Sequence, residues 1–378
     1  MNKLLRQVKE HRQVIAVLLA ILIPTTIIAS ALLRIHRSDP VETITTDWAR
    51  SGHADFLSRA FNHWNDDEPP LIPANCAACH SLHGLLDYVG ERGTPAGTVS
   101  QDMPIGTVVS CLACHNDSVH SMRQVSFPSS AVVHARGKEA SCLICHQGRE
   151  STISVNEAIS GLEMDTVYDD LAFISVHYHV AAATLMGTTA QGGYEYDGRD
   201  YAGRFEHTLS FQSCNSCHDP HHLRVDPLPC SACHVNVTGY ETLRQIRHDE
   251  TDYDGDGNVR KGIAAEIETF HALLYEAIQA YAQEVTGVPI VYNVEQFPYF
   301  FTGRQDGEMP DPDALSFANR YVNWTPRLIA AAYNYHFIHM DPGAYAHNPR
   351  YALQLLYDSL QDMNERVNFD LSRLQRPD

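Results

Sequence analysis

One long apolar run dominates the amino-terminal part of the chain. Residues 14–33 are twenty consecutive positions without a charged side chain. Four basic side chains precede this run, namely Lys3, Arg6, Lys9 and Arg12. Roughly 20 apolar helical residues cross the hydrocarbon layer of a membrane, and basic residues mark the cytoplasmic flank. Residues 1–37 are therefore predicted to be a cytoplasmic N-terminus and a single transmembrane helix. The rest of the chain is then expected on the extracytoplasmic (periplasmic) side of the cell membrane.

A cleaved signal peptide is the alternative explanation of the same run. Ala29, Ser30 and Ala31 match the small-residue pattern of a cleavage site. The apolar run is, however, longer than the roughly 7–15 apolar residues of a signal peptide. This length favours a membrane anchor.

Apolar residues return with helical periodicity in the last third of the chain. They recur every three or four positions and predict an amphipathic helix of more than twenty residues; the residues are Ile263, Ile267, Phe270, Leu274, Ile278, Tyr281 and Val285. Thr325-Pro326 and Asn348-Pro349 each combine a capping residue with a proline, which predicts the starts of two more helices. Residues 240–378 are therefore predicted to be a helical C-terminal region.

Composition and charge narrow the classes of protein. Of 378 residues, 10 are Cys and 22 are His, and the formal net charge is −19. A nucleic-acid-binding function is excluded, because it needs clustered Lys and Arg. Residues 1–37 carry a charge of +5, which leaves −24 on the remainder. The negative charge of residues 38–378 favours basic redox proteins as docking partners. The alternative is that this charge only keeps the protein soluble, and the composition is compatible with both explanations.

All ten cysteines belong to five copies of one motif, C-x-x-C-H. The copies are Cys76, Cys79, His80; Cys111, Cys114, His115; Cys142, Cys145, His146; Cys214, Cys217, His218; and Cys230, Cys233, His234. The two thiols of such a motif bond the two vinyl groups of one porphyrin, and the histidine coordinates its iron. Redox pairs, half zinc sites or disulfides would not explain why a histidine follows every second cysteine. The sequence therefore predicts five covalently bound haem c groups.

The spacing of the motifs predicts the kind of fold. They start at residues 76, 111, 142, 214 and 230, so only 16 positions separate the last two starts. These spacings leave little chain for a layered domain, and porphyrins are expected to fill much of the interior. The predicted fold is mainly α with extensive irregular loops. Residues 38–239 are predicted to be a pentahaem cytochrome c domain packed around five haems.

Each haem iron needs a sixth ligand unless one position is open for chemistry. Fifteen histidines remain after the five motif histidines and two close to the apolar run are set aside. Local context favours five of them, with a sixth as a spare; these are His63, His177, His207, His221 and His347, and then His53. A surface or core role without iron is the alternative for each. Met103 and Met164 are alternative ligands.

An acidic loop opens the cysteine-free last third. Its acidic and amide residues match the early positions of an EF-hand calcium loop, and they are Asp252, Asp254, Asp256 and Asn258. Ile263 stands at the twelfth position, where such loops have a bidentate glutamate, so Glu266 or Glu268 is expected to take that role. An acidic, solvated turn is the alternative to a Ca2+ site. Residues 302–313 resemble a second acidic loop without its early ligands and are predicted to be a turn.

The chain resembles the multihaem cytochromes c, and among them the polyhaem membrane-associated cytochromes c. The likeness covers residues 50 to about 362 and rests on the segments HADF, FNHW, CHQGRE, VHYHVAAAT, GGYEYDGRDYAGRF, YDGDG, PYFF and DPGAYAHNPRYALQLLYDSL. The resemblance implies electron transfer and supports His63, His177, His207, His221 and His347 as the sixth ligands. A weaker likeness to ammonia-forming nitrite reductases and hydroxylamine oxidoreductases lies in the last third, but the C-x-x-C-K motif of the former is absent.

Three functions are compatible with these observations. The favoured function is electron transfer between a membrane redox complex and other redox partners, by an electron carrier rather than a substrate-converting enzyme. The first alternative is an oxidoreductase with one open haem that acts on a small nitrogen or sulfur compound. The second alternative is a haem subunit of a larger respiratory complex or filament. No catalytic residue is assigned.

Overall fold

The structure is a computed structural model that describes residues 22–25, 39–136, 138–208, 210–247 and 249–378. The chain divides into two compact units. The first consists of residues 1–55 with 221–223, and the second consists of residues 56–220 with 224–378. The helical elements before residue 56 belong to the first unit, and the other features described below belong to the second unit unless the first is named.

Helices account for most of the regular structure. The α-helices described are α1 (Pro40–Ala49), α2 (Arg59–Asn62), α3 (Ala74–His80), α4 (Leu82–Tyr88), α5 (Cys111–Cys114), α6 (Asp117–Ser121), α7 (Ala140–Cys145), α8 (Thr152–Ile159), α9 (Ala181–Met186), α10 (Cys214–Cys217), α11 (Tyr240–Leu243), α12 (Ile263–Tyr281), α13 (Pro326–His339), α14 (Ala344–His347) and α15 (Pro349–Met363). Short 3-10 helices lie at Gly52–Ala54, Gly187–Thr189, Pro229–Ala232, Pro312–Ala314 and Phe317–Asn319. This mainly helical, loop-rich architecture agrees with the predicted fold class.

The predicted single-pass membrane location needs correction. Within the described part of the chain, no helix combines the length and the apolar character that crossing a bilayer requires. The longest of these helices, α12, carries Glu266, Glu268 and Glu276, and charged side chains are costly inside a bilayer. The prediction of a single-pass membrane protein is therefore wrong on this finding. The run at 14–33 that motivated it lies outside the described residues, except for 22–25.

Strands are few and short. The described strands are β1 (Leu71–Ile72), β2 (Met103–Pro104), β3 (Gln124–Ser126), β4 (Val132–His134), β5 (Ile290–Tyr292) and β6 (Phe300–Thr302). They form three separate two-stranded antiparallel ladders, β1–β2, β3–β4 and β5–β6. Val125 pairs with Val133 in the second ladder, and both side chains are buried. Each ladder tethers neighbouring loops, and none forms a layer on which a domain could be built.

The C-terminal helices form a packed apolar core. Helices α12, α13 and α15 pack against one another, and α13 is buried along nearly its whole length. Both predicted helix starts are observed, because α13 begins at Pro326 and α15 at Pro349. Thr325 Oγ1 accepts a hydrogen bond from the backbone N–H of Leu328 (3.2 Å), which satisfies one of the free donors at the helix start. Side-chain caps and apolar packing therefore hold this region together.

The long amphipathic helix ends earlier than its apolar pattern suggests. Its buried positions include Ile267, Phe270, Leu274 and Ile278, on the face predicted from the sequence. After Tyr281 the chain continues as one π-helical turn (Ala282–Thr286). Gly287 then adopts a positive φ of 72°, a backbone conformation that glycine accepts without steric cost at a helix end.

Candidate haem-binding and metal sites

Each C-x-x-C-H motif begins as one helical turn. The first (76–80) closes α3, and the second (111–115) begins with α5. The third (142–146) ends α7, the fourth (214–218) begins with α10, and a 3-10 turn carries the fifth (230–234). Residues three apart share one face of a helix, so the two cysteines of each turn are placed for one flat cofactor. All ten cysteines are free thiols, as thioether attachment requires.

A second imidazole lies beside every motif histidine. The ring-centroid distances are 5.7 Å for His80–His177, 6.2 Å for His115–His120, 5.7 Å for His146–His179, 6.2 Å for His218–His347 and 6.3 Å for His234–His207. Metal–imidazole bonds of about 2.0–2.1 Å place two opposing nitrogens about 4 Å apart and their ring centres about 6 Å apart. The five pairs therefore fit a metal ion held between two histidines.

The predicted sixth ligands fall into two groups. His177, His207 and His347 are each placed beside a motif histidine. His63 instead lies against Trp64, with ring centroids 4.9 Å apart, and Trp64 packs edge-on against the first motif histidine. His53 and His221 belong to the first unit of the chain. His53 lies in the 3-10 turn Gly52–Ala54.

Sequence reasoning missed two histidines that the structure places beside motif histidines. His120 lies on α6, five positions after His115, and His179 lies two positions after His177. The H-x-H spacing of His177 and His179 was a signal for His179, because one segment then offers two imidazoles. His120 was signalled only by its closeness to the second motif.

The segment that carries His177 and His179 has an unusual backbone. Both residues have positive φ angles, 71° and 58°, which cost non-glycine residues conformational energy and cluster at functional sites. The segment is tied to the third motif by hydrogen bonds from Arg149 N–H to Val176 O (3.0 Å) and from Ala182 N–H to His146 O (2.8 Å). One short segment therefore provides the second histidine for both the first and the third motif.

The third motif contacts three of the other four. The thiol of Cys145 hydrogen-bonds with that of Cys79, which raises the pKa of Cys145 and lowers that of Cys79. The thiol of Cys142 interacts with that of Cys214 in the fourth motif, which lowers the pKa of Cys142. Ser141, next to the third motif, hydrogen-bonds with a thiol of the second motif (3.6 Å). The third motif is therefore in contact with the first, second and fourth motifs and connects them.

Burial favours the neutral form of four of these imidazoles. Burial lowers the pKa of His80, and burial with the nearby His80 lowers the pKa of His177 to about 4. Burial also lowers the pKa of His218 and of His207. A neutral imidazole keeps the lone pair that binds a metal. These four rings are therefore in the ligating form at neutral pH.

Two rings are also oriented by hydrogen bonds at their outer nitrogen. His80 Nδ1 donates to the carbonyl oxygen of Ala60 (2.7 Å), which leaves Nε2 facing His177 at 3.5 Å. His347 Nδ1 hydrogen-bonds with the buried carboxylate of Asp341 (2.8 Å). Burial opposes the charged form of His347, but this carboxylate raises its pKa. Such partners fix the tautomer and direction of metal-binding histidines.

The acidic loop brings only part of the predicted metal set together. Asp252, Asp254 and Glu266 offer carboxylate oxygens that all lie within 4.8 Å of one another. Asp256 instead pairs with Lys261 (2.6 Å). Asn258 Oδ1 accepts a hydrogen bond from the N–H of Arg260 (3.2 Å). Glu266, on α12, was one of the two glutamates expected at the missing position.

Helical turns of C-x-x-C-H with free thiols, each facing a second histidine, are the arrangement of multihaem c-type cytochromes. Similarity to known proteins points to the same class. The chain is 23% identical to the C-type polyheme cytochrome OmcB of Geobacter sulfurreducens, over 86% of this chain and 52% of the relative. It is 28% identical to the C-type polyheme cytochrome OmcC of the same organism, over 83% of this chain and 46% of the relative. The predicted resemblance to multihaem cytochromes c is therefore confirmed.

The chain spans about half the length of these curated relatives. No protein-family model matches it. No solved structure is significantly similar to it.

Proposed function

We propose that this chain binds five haem c groups and transfers electrons between other redox proteins. The observation that carries the proposal is the second histidine beside every motif histidine. In each site the two cysteines would hold the porphyrin through thioether bonds, and two imidazoles would hold the iron from opposite sides. The printed names of the relatives, both polyheme cytochromes, support the same chemistry.

Two imidazoles on each iron favour a carrier over an enzyme. A bound haem supplies an iron that changes between the ferric and ferrous states. The protein's part is to fill both axial positions, so that no small substrate reaches the metal. Burial of the neutral rings and the carboxylate behind His347 hold the two ligands in place in both states. An oxidoreductase would instead need one motif histidine without an opposing ligand.

The contacts between motifs suggest the order of electron transfer. The first, second and fourth motifs all contact the third, through Cys79, Ser141 and Cys214 respectively. The fifth motif follows the fourth, because Cys230 acts electrostatically on Cys217. Electrons would therefore pass through the third site on most routes across the protein. The first, second and fifth sites would be the ends at which partners exchange electrons.

The charge of the chain suggests the kind of partner. Residues 38–378 carry a net charge of −24, and complementary charge accelerates encounters between redox proteins. Basic redox proteins are therefore the proposed partners. Their rates of electron exchange with this chain would fall as salt is added.

The experiment that tests the proposal counts the haems and reports the ligands of each iron. The intact mass should correspond to five haems, and electron paramagnetic resonance of the oxidised protein should show only low-spin iron. His120→Ala and His179→Ala should each convert one haem to a high-spin form that binds an added ligand. His63→Ala is the matched control and should leave all five haems low-spin.

Two results would contradict the proposal. Fewer than five haems by mass would refute the count. A high-spin haem in the unaltered protein, with a spectrum that changes when nitrite, hydroxylamine or sulfite is added, would favour an oxidoreductase with an open haem.

A further inference from the structure

The carboxylates of the acidic loop converge in a way that suits one divalent cation. Oxygens of Asp252, Asp254 and Glu266 lie within 4.8 Å of one another. Two ligands that each lie 2.3–2.6 Å from one calcium ion can be at most about 5.2 Å apart. Asp252 and Asp254 come from the loop and Glu266 comes from the first turn of α12. The three residues therefore meet the spacing that calcium requires.

The two glutamates that could complete the loop have different environments. Glu266 is fully buried and accepts a hydrogen bond from the N–H of Tyr253 within the loop (2.9 Å). Glu268 points away, pairs with Arg244 and leaves 64% of its side chain exposed. The structure thus selects Glu266 as the replacement for the glutamate missing at the twelfth loop position.

One oxygen in the cluster has no partner. Asp254 is 5% exposed overall and its side chain is 1% exposed. Its Oδ2 pairs with Lys261, but its Oδ1 is buried without any hydrogen-bond partner. An unsatisfied buried carboxylate oxygen is costly. A cation bound between the three carboxylates would satisfy it.

The charges around the cluster do not balance. Asp252, Asp254, Asp256 and Glu266 supply four negative charges. Lys261 pairs with Asp254 and Asp256, and Arg247 pairs with Glu266. These two basic side chains leave an excess of two negative charges, which one divalent ion would neutralise.

We propose that Asp252, Asp254 and Glu266 bind one calcium ion. In the calcium-free protein, Lys261 and Arg247 partly neutralise the same carboxylates. Carboxylate oxygens suit calcium, whose coordination geometry is adaptable, whereas magnesium demands nearly octahedral geometry and retains its water. Calcium would bind the free Oδ1 of Asp254, and Oδ2 would remain paired with Lys261.

The site also connects the loop to the carboxyl-terminal segment. The N–H of Gln375 donates to the carbonyl oxygen of Tyr253 (2.8 Å). Gly255 has a positive φ of 67° and lies so close to Arg373 that any side chain there would collide with its backbone. Calcium on Asp252 and Asp254 therefore stabilises a loop that joins residues 373–375 to the start of α12.

The test is a calcium titration of the full chain with its haems, after removal of metal with a chelator. Calorimetry should show one binding event, and calcium should raise the midpoint of thermal unfolding. Asp254→Asn and Glu266→Gln should each weaken calcium binding by at least about 100-fold, because even outer-shell partners of metal ligands cost 10–100-fold. Lys261→Gln should bind calcium more tightly, because a competing cation is gone.

Glu268→Gln is the matched control, because it alters a glutamate on the same helix but outside the cluster, and it should leave the affinity unchanged. Haem absorbance, unchanged in every variant, verifies folding and separates this result from the proposed electron-transfer function. Absence of any calcium heat in the unaltered protein would overturn the proposal. So would full binding by Glu266→Gln, loss of binding in Glu268→Gln alone, or equal affinity for magnesium.

Discussion

Two parts of the second unit are organised in opposite ways. The helical region (263–363) contains three helices of fourteen or more residues around fully buried aromatic side chains, among them Phe270, Trp324 and Tyr333. The motif 4–5 segment (213–220 and 224–234) has only two short turns, and neither contains a buried residue. Leu228, beside the fifth motif, is 74% exposed. Apolar packing thus accounts for the first part and not for the second.

The comparison shows which parts of the chain fold through their own apolar packing and which need a bound haem to become ordered. Burying apolar surface stabilises the helical region by the ordinary hydrophobic effect. The motif 4–5 segment buries too little to offset the loss of chain entropy. Covalent haem is therefore expected to hold this segment, both by cross-linking the chain and by supplying apolar surface. The third motif lies between these extremes, because Leu143 and Ile144 on its helix are fully buried in the main core.

Removing the fifth haem is expected to have the largest effect. The double substitution Cys230→Ser and Cys233→Ser should abolish haem attachment and leave the motif 4–5 segment open to proteases and fast amide exchange, because its backbone has little other packing. The helical region should keep its protection. Hydrogen–deuterium exchange read by mass spectrometry makes the measurement.

The matched control removes the third haem by Cys142→Ser and Cys145→Ser. Helix α7 should then stay protected, because its buried side chains remain packed in the core. The comparison would fail if both double variants lost protection equally, or if the motif 4–5 segment stayed protected without its haem.

Local chemistry made part of this structure predictable. The helix starts at Pro326 and Pro349 depend on a capping side chain and a proline that are adjacent in sequence. The C-x-x-C-H turns follow from the same kind of short-range rule. The predicted single-pass membrane location, which came from counting apolar residues in one run, was wrong, because no helix in the described part of the chain is long and apolar enough to cross a bilayer.

The partners of the motif histidines depend on distant parts of the chain. His177 meets His80 across 97 positions, and its segment follows a left-handed backbone at two residues, which no periodicity reveals. His347 reaches the fourth motif from the far end of the helical region. Glu266 lies beside the carboxylates of the acidic loop because α12 begins at Ile263, which places Glu266 in its first turn. Contacts of this kind are set by tertiary packing, so local sequence context alone is a weak guide to them.

A buried ion cluster gives the next largest expected effect, and it lies in the helical region. Arg327 is 4% exposed and pairs with Asp165 (2.8 Å), Asp362 (2.5 Å) and Glu365 (2.8 Å). Arg327→Met should lower the free energy of unfolding by about 3–5 kcal/mol, because it leaves the largely buried carboxylate of Asp362 without a counter-ion. Asp165, in contrast, keeps Arg366. Denaturant titration measures the change.

Arg304→Met is the matched control for that substitution. Arg304 pairs with Asp306 (2.9 Å) at the surface, and both side chains are more than half exposed. Surface pairs contribute about 0.2–1 kcal/mol. Equal losses in the two variants would contradict the view that burial decides the effect.

The cap of α13 should have a smaller effect. Thr325 is fully buried, accepts from the N–H of Leu328 (3.2 Å) and shares a hydrogen bond with the hydroxyl of Tyr281 (2.9 Å). Thr325→Ala should cost about 0.5–2 kcal/mol of unfolding free energy. Thr325→Ser keeps the hydroxyl and should recover most of that loss in the same denaturant titration. A loss as large in Thr325→Ser as in Thr325→Ala would show that the methyl group, and not the cap, is responsible.

The smallest expected effect is a dependence of the unfolding free energy on pH that is confined to acidic pH. Burial opposes ionisation of Asp165, but hydrogen bonds from Arg366, Arg327 and Tyr281 lower the pKa of Asp165 to about 2, whereas an unfolded aspartate has a pKa of about 3.9. A carboxyl group whose pKa is lower in the folded state stabilises the fold above its unfolded pKa and loses that contribution as the pH falls through the folded value. The stabilisation by Asp165 should therefore be complete above about pH 4 and disappear toward pH 2.

Asp165→Asn isolates this contribution from the other acidic groups. The difference in unfolding free energy between the unaltered protein and the variant should be constant near neutral pH and shrink between about pH 4 and pH 2. Asp306→Asn, at an exposed surface pair, is the control and should show a small difference at every pH. A difference for Asp165→Asn that stayed constant down to pH 2 would mean that the arginines do not hold this carboxylate ionised.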